Sequence, residues 1–543
     1  MMNLSTLKTL FLTTVFMLFG CLAIQAQVVF FPPGDLELEI KVEVKLEEAG
    51  TLPDEFTDDY EYKISELKII GEINGTDLRL IREIARKPNR DSNITGGKLS
   101  VLDLSEARIV KGGAPYYCEH NREYYTAKDE IGDYAFYKCD GLTSLLFPSR
   151  IIKIGKCAFG DCHGLTSLTL PSDITGIGDY AFSGCNVLTS LNLPSGITKI
   201  GKCAFDDCHG LTSLTLPSGI TEIGDGAFSG CNGLTSLTLP AGITKIGDGA
   251  FSYCGGLTSL ILPSGVTRIG KEAFSYCRGL TSLTLPSGIT KIGDGTFSHC
   301  IGLTSLILPS GITKIGYSAF SGCSGLTSLP LPSSITEIGS KAFEDCIGLT
   351  SLILPSDLNS IGSYAFYNCR NLTSLTLPPS LASIADYAFS NCSNIASLTI
   401  PFGVTKICDY AFSDCSRLTN LTIPSSVNTL GDYAFKKCSS LQSIYVSWST
   451  PISVDKTFYA VDKSKCTLYV PQGTKQDYFL ADVWGNFGNI IEYEPTGIDK
   501  VTTSTDAKEL SRYSVNGQRL SAPAKGLNIV KYSDGSVKKV VVQ

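Results

Sequence analysis

The residues best suited to chemistry in this 543-residue chain are its 20 cysteines and 4 histidines. A cysteine beside a histidine could act as a nucleophile, four such side chains could bind zinc, and paired cysteines could form disulfides. The pairs Cys162-His163 and Cys208-His209 lie 46 residues apart, and each offers only two of the four ligands of a structural zinc ion. The sequence contains no GxSxG, HExxH or Walker motif. It therefore predicts no catalytic residue, no metal site, no cofactor and no enzymatic activity.

Fourteen of the cysteines follow one another at a constant spacing of 23 residues, from Cys139 to Cys438. Free cysteine is among the most buried residue types and packs as a small hydrophobic side chain. Stacked copies of one unit would bring neighbouring cysteine Cα atoms to about 4.8 Å, which is within disulfide range. Translated copies, however, direct their Cβ atoms the same way, and this geometry is unsuited to a disulfide. We therefore expect a column of buried thiols.

Each of these cysteines begins a repeat of the form C-x-x-L-x-x-L-x-L-P-x-x-I-x-x-I-G-x-x-A-F-x-x, and positions are counted from the cysteine as zero. Leucine or isoleucine at +3, +6 and +8 predicts a short strand that faces a core. Proline at +9 ends the strand because it cannot donate a ladder hydrogen bond. A second apolar pair at +12 and +15 and the Ala-Phe pair at +19 and +20 are also expected to be inside. One unit cannot bury its own apolar face, so consecutive copies must stack.

Two further columns of the repeat are small or charged. Glycine at +16 is replaced by Ala385 and Cys408 in two copies, which indicates close packing rather than a required positive φ angle. Position +17 carries aspartate in some copies and lysine in others: Asp179, Asp225, Asp248 and Asp294 against Lys156, Lys202 and Lys271. Calcium binding is one interpretation of this column, and solvated charges at turns are the favoured one.

The outward strand positions +4, +5 and +7 are nearly all threonine and serine, with isoleucine appearing at +7 in alternate copies. This pattern predicts a flat, neutral, hydroxyl-rich sheet face that could contact an extended protein or a glycan. The alternative is that threonine and serine simply suit a parallel ladder. The candidate binding residues at +7 are Thr169, Thr215, Thr238, Ile261, Thr284, Ile307 and Ile353.

A second candidate surface is the +18 column, which carries tyrosine in four successive copies: Tyr364, Tyr387, Tyr410 and Tyr433. Stacked tyrosines would form a ridge with polar tips, and tyrosine is favoured at protein interfaces. A partly buried packing ladder explains the same pattern. The sequence leaves both interpretations open.

The L-x-x-L-x-L core identifies a leucine-rich repeat, and the 23-residue length with its LPxxIxxIGxxAF tail resembles the BspA-like (Treponema pallidum-type) subclass. The resemblance covers residues 131–447 almost without a break. It implies a β-rich α/β solenoid of about 14 repeats with a cap at each end. Members of that family occur on or outside bacterial cells, notably in Bacteroidetes, and are associated with adhesion to host proteins and other bacteria, so the resemblance implies such a role.

The flanks fit the same resemblance. Residues 39–49 and 64–73 alternate like strands, Thr76-Asp77 offers a helix cap, and 98–105 is an early copy of the strand. The last 50 residues have strand composition with a hairpin at Asp534-Gly535, and they are either a sorting or attachment module or a plain structural tail. The predicted organisation is a signal peptide (1–26), an N-terminal cap with the first strand repeat (27–107), an insertion loop (108–130), the solenoid (131–447), a C-terminal cap (448–493) and a small β-rich tail (494–543).

The N-terminus predicts export. Positive charge within Met1–Lys8, an uncharged run from Leu10 to Ala23, and small residues at Ala23 and Ala26 are typical of a secretory signal peptide. Leu18-Phe19-Gly20-Cys21 resembles a lipoprotein box, so lipid attachment at Cys21 is an alternative. A transmembrane anchor is less favoured, because a span needs about 20 apolar residues.

The charge balance of 45 basic and 52 acidic residues, net −7, argues against a nucleic-acid partner. We therefore expect a secreted or surface-attached, non-enzymatic monomer that has no transmembrane span. Its expected partner is an extracellular protein of the host matrix or of another bacterial surface. The alternative is a glycan-binding protein of a polysaccharide-use system, although Trp448 and Trp484 are the only tryptophans that could form a sugar platform.

Overall fold

A computed structural model describes residues 40–56, 60–87 and 96–494, and in the tail 509–514, 519–520, 522, 526–532 and 537–542. The predicted signal peptide and Cys21 lie outside the described residues. The chain divides into two compact units, residues up to 355 with 361–371 as the first unit, and 356–360 with the residues from 372 onward as the second.

In both units, short strands from consecutive coils pair in parallel and form the sheet face, as the repeat predicts. Within a pair, equivalent repeat positions are direct partners, for example Leu237 with Leu260 in the first unit and Leu398 with Leu421 in the second. The strands of this row are Ile40–Lys45, Ile64–Ile73, Val101–Ile109, Ser144–Leu146, Ser167–Thr169, Ser190–Asn192, Ser236–Thr238, Ser259–Ile261, Ser282–Thr284 and Ser305–Ile307 in the first unit, and Ser397–Thr399, Asn420–Ile423, Ser443–Val446, Thr467–Pro471 and Asn489–Tyr493 in the second.

A second row of two-residue strands covers positions +14 and +15. Its strands are Glu130–Ile131, Lys153–Ile154, Gly176–Ile177, Lys199–Ile200, Glu222–Ile223, Lys245–Ile246, Arg268–Ile269, Lys291–Ile292, Lys314–Ile315, Glu337–Ile338, Ser360–Ile361, Ser383–Ile384, Lys406–Ile407 and Thr429–Leu430. The remaining strands form a hairpin (Gly112–Glu119, Arg122–Thr126) and an antiparallel tail sheet (Glu509–Ser514, Arg519–Leu520, Gly526–Tyr532, Val537–Val542). The α-helices are Gly75–Ile84 and Lys475–Leu480, and the 3-10 helices are Leu52–Glu55, Tyr60–Lys63, Lys463–Lys465 and Trp484–Asn486.

The predicted β-rich solenoid of leucine-rich repeats is confirmed, but the described residues form about 19 coils rather than about 14. Segments expected to be caps add strands to the same parallel row. At the N-terminal end Val42 pairs with Leu67, and at the C-terminal end Leu468 pairs with Ile490. These strands were missed as repeats because their spacing departs from 23 residues. The α-helices also belong to these terminal segments, so the regular coils hold strands and turns alone.

Three local expectations at the flanks need correction or completion. The first helix is capped by Asn74, whose side chain accepts from the Thr76 backbone N–H, while Asp77 completes the capping box from inside the helix. Part of the segment expected to be a loop, 108–130, is an antiparallel hairpin. In the tail, Gly526–Tyr532 and Val537–Val542 pair antiparallel as a hairpin at Asp534-Gly535 requires, but those two residues lie outside the described ones.

The core is a set of identical side chains stacked from coil to coil. Phenylalanine rings at +20 stack with centroids 5.1–5.6 Å apart and interplanar angles of 2–12°, from Phe136 to Phe366 in the first unit and from Phe389 to Phe458 in the second. Alanine at +19 and cysteine at 0 are buried beside them. Each coil therefore contributes the same apolar surface to both of its neighbours.

The turn between +17 and +22 is held by hydrogen bonds between coils. Backbone N–H groups at +18, +20 and +22 donate to the next coil, as in Gly226 N to Asp248 O (2.8 Å), Phe228 N to Ala250 O (2.9 Å) and Gly230 N to Ser252 O (2.8 Å). Positions +18 and +22 have φ between +49° and +76° throughout the regular repeats. Glycine at +16 has no positive φ, and a Cβ at Gly178 would lie 2.5 Å from the Gly155 carbonyl carbon, so the close-packing interpretation is confirmed.

All 19 described cysteines are free thiols, and the 14 of the repeat column are buried. Thiols of this column, such as Cys254, donate to a phenylalanine carbonyl 26 residues earlier in the chain, here Phe228 O (3.0 Å). Burial raises the pKa of Cys254, and likewise that of Cys300, to about 12. The prediction of buried thiols is confirmed.

Replacing Phe228 with alanine should lower the free energy of unfolding by about 3–5 kcal/mol, because the ring is fully buried and stacked on both sides. Urea denaturation followed by circular dichroism measures this loss. The matched control is Thr296→Ala, which restores the residue that other copies carry at +19 and should change stability by less than about 1 kcal/mol. A Phe228→Ala variant as stable as the control would contradict the stacked core.

The buried thiols also predict a loss of stability at alkaline pH. An unfolded thiol ionises near pH 9 and the folded Cys254 thiol near pH 12, so the folded thiol stays protonated to higher pH. Because ionisation favours the unfolded state, the free energy of unfolding falls as pH rises above 9. At pH 10 the loss is about 1.4 kcal/mol per such thiol. Between pH 8 and pH 10, Cys254→Ala should lose less stability than the wild type by that amount, whereas Thr296→Ala should lose as much as the wild type. Equal losses in all three proteins would refute the buried-thiol account.

Candidate functional site

The threonine hydroxyls at +4 are used inside the sheet. Thr189 Oγ1 donates to Thr166 O (3.1 Å), and the same bond joins Thr304 to Thr281 (3.2 Å). These hydroxyls therefore connect successive coils and are less available to a partner. For this column, the interpretation that threonine suits the ladder is the better one.

The +7 side chains point away from the core in the same strands. Thr169, Thr238 and Thr284 are exposed, as is Thr215 at an isolated bridge. The isoleucines of this column are 85% (Ile261), 60% (Ile307) and 84% (Ile353) exposed. Leu146 lies at the same position in the first regular coil and is 52% exposed; it was not among the predicted residues, although the 23-residue spacing identifies it. The first unit thus has a hydroxyl-rich sheet face with unpartnered apolar side chains.

Three of the four predicted ridge tyrosines come together in the second unit. The rings of Tyr387 and Tyr410 stack at 4.5 Å, those of Tyr410 and Tyr433 at 4.8 Å, and the Lys436 ammonium lies 5.4 and 5.3 Å from the Tyr410 and Tyr433 rings. Tyr364 belongs to the first unit, where its ring meets Tyr367 edge-on at 5.6 Å. All four are half-buried.

These tyrosines adopt a backbone conformation that favours glycine. Their φ angles are +57° to +60°, the same as for Gly226, Gly249 and Gly295 at +18 of other coils. A side chain in this left-handed region costs about 1 kcal/mol. Glycine adopts this turn without that cost. The free-energy cost of tyrosine at +18 must therefore be offset by ring stacking, by binding or by both.

Two aromatic groups were not found from the sequence. Tyr253, Tyr276 and His299 occupy +22 of three successive coils, and their rings stack at 4.6 and 4.5 Å. On the sheet face of the second unit, Tyr445 and Tyr469 stack at 4.3 Å as direct strand partners. The signal for the first group was its 23-residue spacing. The second follows no constant spacing, because the last coils differ in length.

The charged turn column has a structural role. The four aspartates predicted at +17 each accept a backbone N–H from the next coil, as Asp179 Oδ1 does from Lys202 (2.9 Å) and Asp225 Oδ1 from Asp248 (2.9 Å). Asp294 also pairs with Lys271 (2.9 Å), and this hydrogen bond lowers the pKa of its carboxyl group. The turn-charge interpretation is therefore refined, since one carboxylate oxygen of these residues joins two coils.

The pairs Cys162-His163 and Cys208-His209 are not arranged as an activated thiol and base. His163 Nδ1 contacts Gly184 O (2.9 Å) and His209 Nδ1 contacts Gly230 O (2.7 Å), so both rings are held against turn backbone. The half-exposed thiol of Cys203 has its pKa raised by burial, which keeps it protonated and weakly nucleophilic at neutral pH. Across the described residues, no three His, Cys, Asp or Glu side chains are grouped as metal ligands.

Comparisons with known proteins place these features in a family. The model of the family described as "BspA type Leucine rich repeat region (6 copies)" matches residues 129–258, 244–372 and 336–465. A leucine-rich repeat protein of Bacteroides ovatus is 24% identical over 79% of this chain and 95% of its own (TM-score 0.47), and a leucine-rich cell surface protein of Faecalibacterium prausnitzii is 30% identical over 62% and 86% (0.40). The Treponema pallidum leucine-rich repeat protein is 36% identical over 30% and 77% (0.28). No curated protein was found to match the chain.

Among the helices of the described segments, none has the length and apolar character needed to cross a bilayer. The family match spans more than half of the chain, and it covers the coils that carry the buried cysteines, the phenylalanine stack and most of the exposed +7 and +18 columns. The chain belongs to the BspA-type leucine-rich repeat family.

Proposed function

We propose that this chain is an exported or surface-attached protein that binds other proteins outside the cell and so mediates adhesion to a host or to other bacteria. The family's members are typically secreted or held at the cell surface, and its repeats generally serve protein–protein interaction rather than catalysis. The observation that carries the proposal is the exposure of Ile261, Ile307 and Ile353 on a neutral sheet face. Exposed apolar side chains grouped on one surface mark interaction sites.

The isoleucines are not required by the fold. Threonine occupies the same position in neighbouring coils, where the strand has the same length and the same parallel partners. Each isoleucine therefore exposes apolar surface that the sheet does not use, and burying it against a partner would gain about 1–2 kcal/mol. The same face presents no cation or carboxylate at +4, +5 or +7 of these coils, which favours a partner with an apolar or hydroxyl-bearing surface.

The glycan alternative has less support. The two tryptophans that could form a sugar platform, Trp448 and Trp484, are 5% and 1% exposed and pack into the last coils. Their indole N–H groups donate to the backbone oxygens of Val427 and Ile452. Neither ring is available to stack on a sugar.

The first test replaces three isoleucines together, Ile261→Thr, Ile307→Thr and Ile353→Thr. The purified chain and the variant are compared on arrays of extracellular matrix proteins, bacterial surface proteins and glycans. We expect the wild type to bind a protein, the variant to bind it on the order of 100-fold more weakly, and the thermal unfolding of both to agree within a few degrees, because the change matches neighbouring coils.

The matched control is Thr238→Ile, which adds an apolar side chain to the same column and should not weaken the same interaction. Equal binding by the wild type and the triple variant would exclude the sheet face. Binding confined to glycans would replace the proposal with the alternative function.

The second test concerns the tyrosines. Replacing Tyr364, Tyr387, Tyr410 and Tyr433 with serine should weaken partner binding without unfolding the chain, since Ser318 already occupies +18 with a φ of +49°. Surface plasmon resonance against the captured partner gives the affinity, and circular dichroism confirms folding. Affinity equal to that of the wild type would assign these rings to packing alone.

A further inference from the structure

Tyr253 begins the aromatic stack at +22 and leaves one ring face uncovered. Its ring lies nearly parallel to that of Tyr276, with an interplanar angle of 5° and centroids 4.6 Å apart. The preceding coil has Gly230 at this position and so provides no side chain for the opposite face. Tyr253 is accordingly 53% exposed.

A carboxylate stands on the other side of this gap. The side chains at +22 extend over the next coil. For example, His299 reaches Gly322 of the next coil so closely that a Cβ built on Gly322 would lie 2.5 Å from His299 Nδ1. Asp207 leans over Gly230 in the same way, and its side chain is 61% exposed with His209 Nε2 4.0 Å from Oδ1. Asp207 and Tyr253 lie two coils apart, and position +22 of the coil between them is Gly230, whose backbone oxygen the His209 ring contacts (2.7 Å). The Asp207 carboxylate, the Gly230 backbone and the free face of Tyr253 therefore border one surface site, which we call the notch.

The chain itself shows which chemistry suits its aromatic columns. The Arg278 guanidinium lies 5.9 Å from the Tyr276 ring centroid, and the Lys341 ammonium lies 5.5 Å from that of Tyr364. No cation of the described residues lies over Tyr253. The free face of Tyr253 lies beside an exposed carboxylate, and the chain has a net charge of −7. Both features favour a cationic ligand.

We propose that the notch formed by Asp207, Gly230 and Tyr253 receives an arginine side chain of a partner protein. The planar guanidinium stacks on the free face of Tyr253 and donates hydrogen bonds to the Asp207 carboxylate. Arginine suits the notch better than lysine because it is flat, stacks on aromatic rings and presents a fork of N–H donors. This inference rests on the proposed protein-binding function and names the partner's chemistry at a place away from the sheet face.

The test uses the full chain and a fluorescein-labelled hexa-arginine peptide, with binding followed by fluorescence anisotropy at physiological salt. Tyr253→Gly and Asp207→Asn should each weaken binding roughly tenfold, given the strength of cation–π and charged contacts. Glycine is compatible with the site because Gly184, Gly230 and Gly322 occupy +22 with positive φ, so the variant should remain folded by circular dichroism. A hexa-lysine peptide should bind the wild type more weakly than hexa-arginine.

The matched control is Asp161→Asn, because Asp161 leans over Gly184 in the same way but the following coil carries Asp207 rather than a ring. It should bind hexa-arginine as the wild type does. The inference is overturned by absent binding, by unchanged affinity in Tyr253→Gly, by an equal loss in Asp161→Asn, or by equal affinity for hexa-lysine. Failure of the proposed function is distinct: a chain that binds hexa-arginine through Tyr253 yet captures no extracellular protein keeps the notch and loses the adhesive role.

Discussion

The constraint on which the molecule depends is the pairing of turn backbone between successive coils. Each second N–H from +18 to +22 is satisfied by a carbonyl of the next coil, and a buried backbone group left without a partner costs free energy comparable to a lost hydrogen bond. Donors and acceptors meet only if every coil brings the same number of residues to the same place. That requirement accounts for the absence of any insertion between Cys139 and Cys438.

The same pairing explains which side chains are invariant and which vary. Residues inside the coil, such as Phe228 and Cys231, touch identical residues above and below, so a change of size would be felt by both neighbours. The left-handed position +18 tolerates glycine, serine, lysine, cysteine or tyrosine. The turns therefore combine a backbone held tightly by hydrogen bonds with side chains that are free to differ, and this is where one coil can be distinguished from another.

The sequence predicted the core columns because burial acts on every copy at once and leaves a period of 23 residues. It did not reveal the left-handed turns, since residues such as Tyr180, Glu272 and Lys341 occupy +18 more often than glycine does, and the residue types there give no sign of the backbone angle. Asn74 was missed as the helix cap because Thr76 and Asp77 are also residue types that cap helices. The terminal strands Ile40–Lys45, Ile64–Ile73, Thr467–Pro471 and Asn489–Tyr493 were not recognised as coils, because they follow no constant spacing along the chain.

The exposed isoleucines recur every second coil, and this has a consequence for how such a chain can change in length. Adding or removing one coil leaves every interior contact intact, because the copies are interchangeable. It would nevertheless change the separation of Ile261 and Ile307 by one strand spacing, about 4.8 Å. The number of coils can therefore change without loss of interior contacts. Each such change alters the distances between the exposed isoleucines by a whole number of strand spacings, so coil number affects which ligands fit the surface without affecting stability.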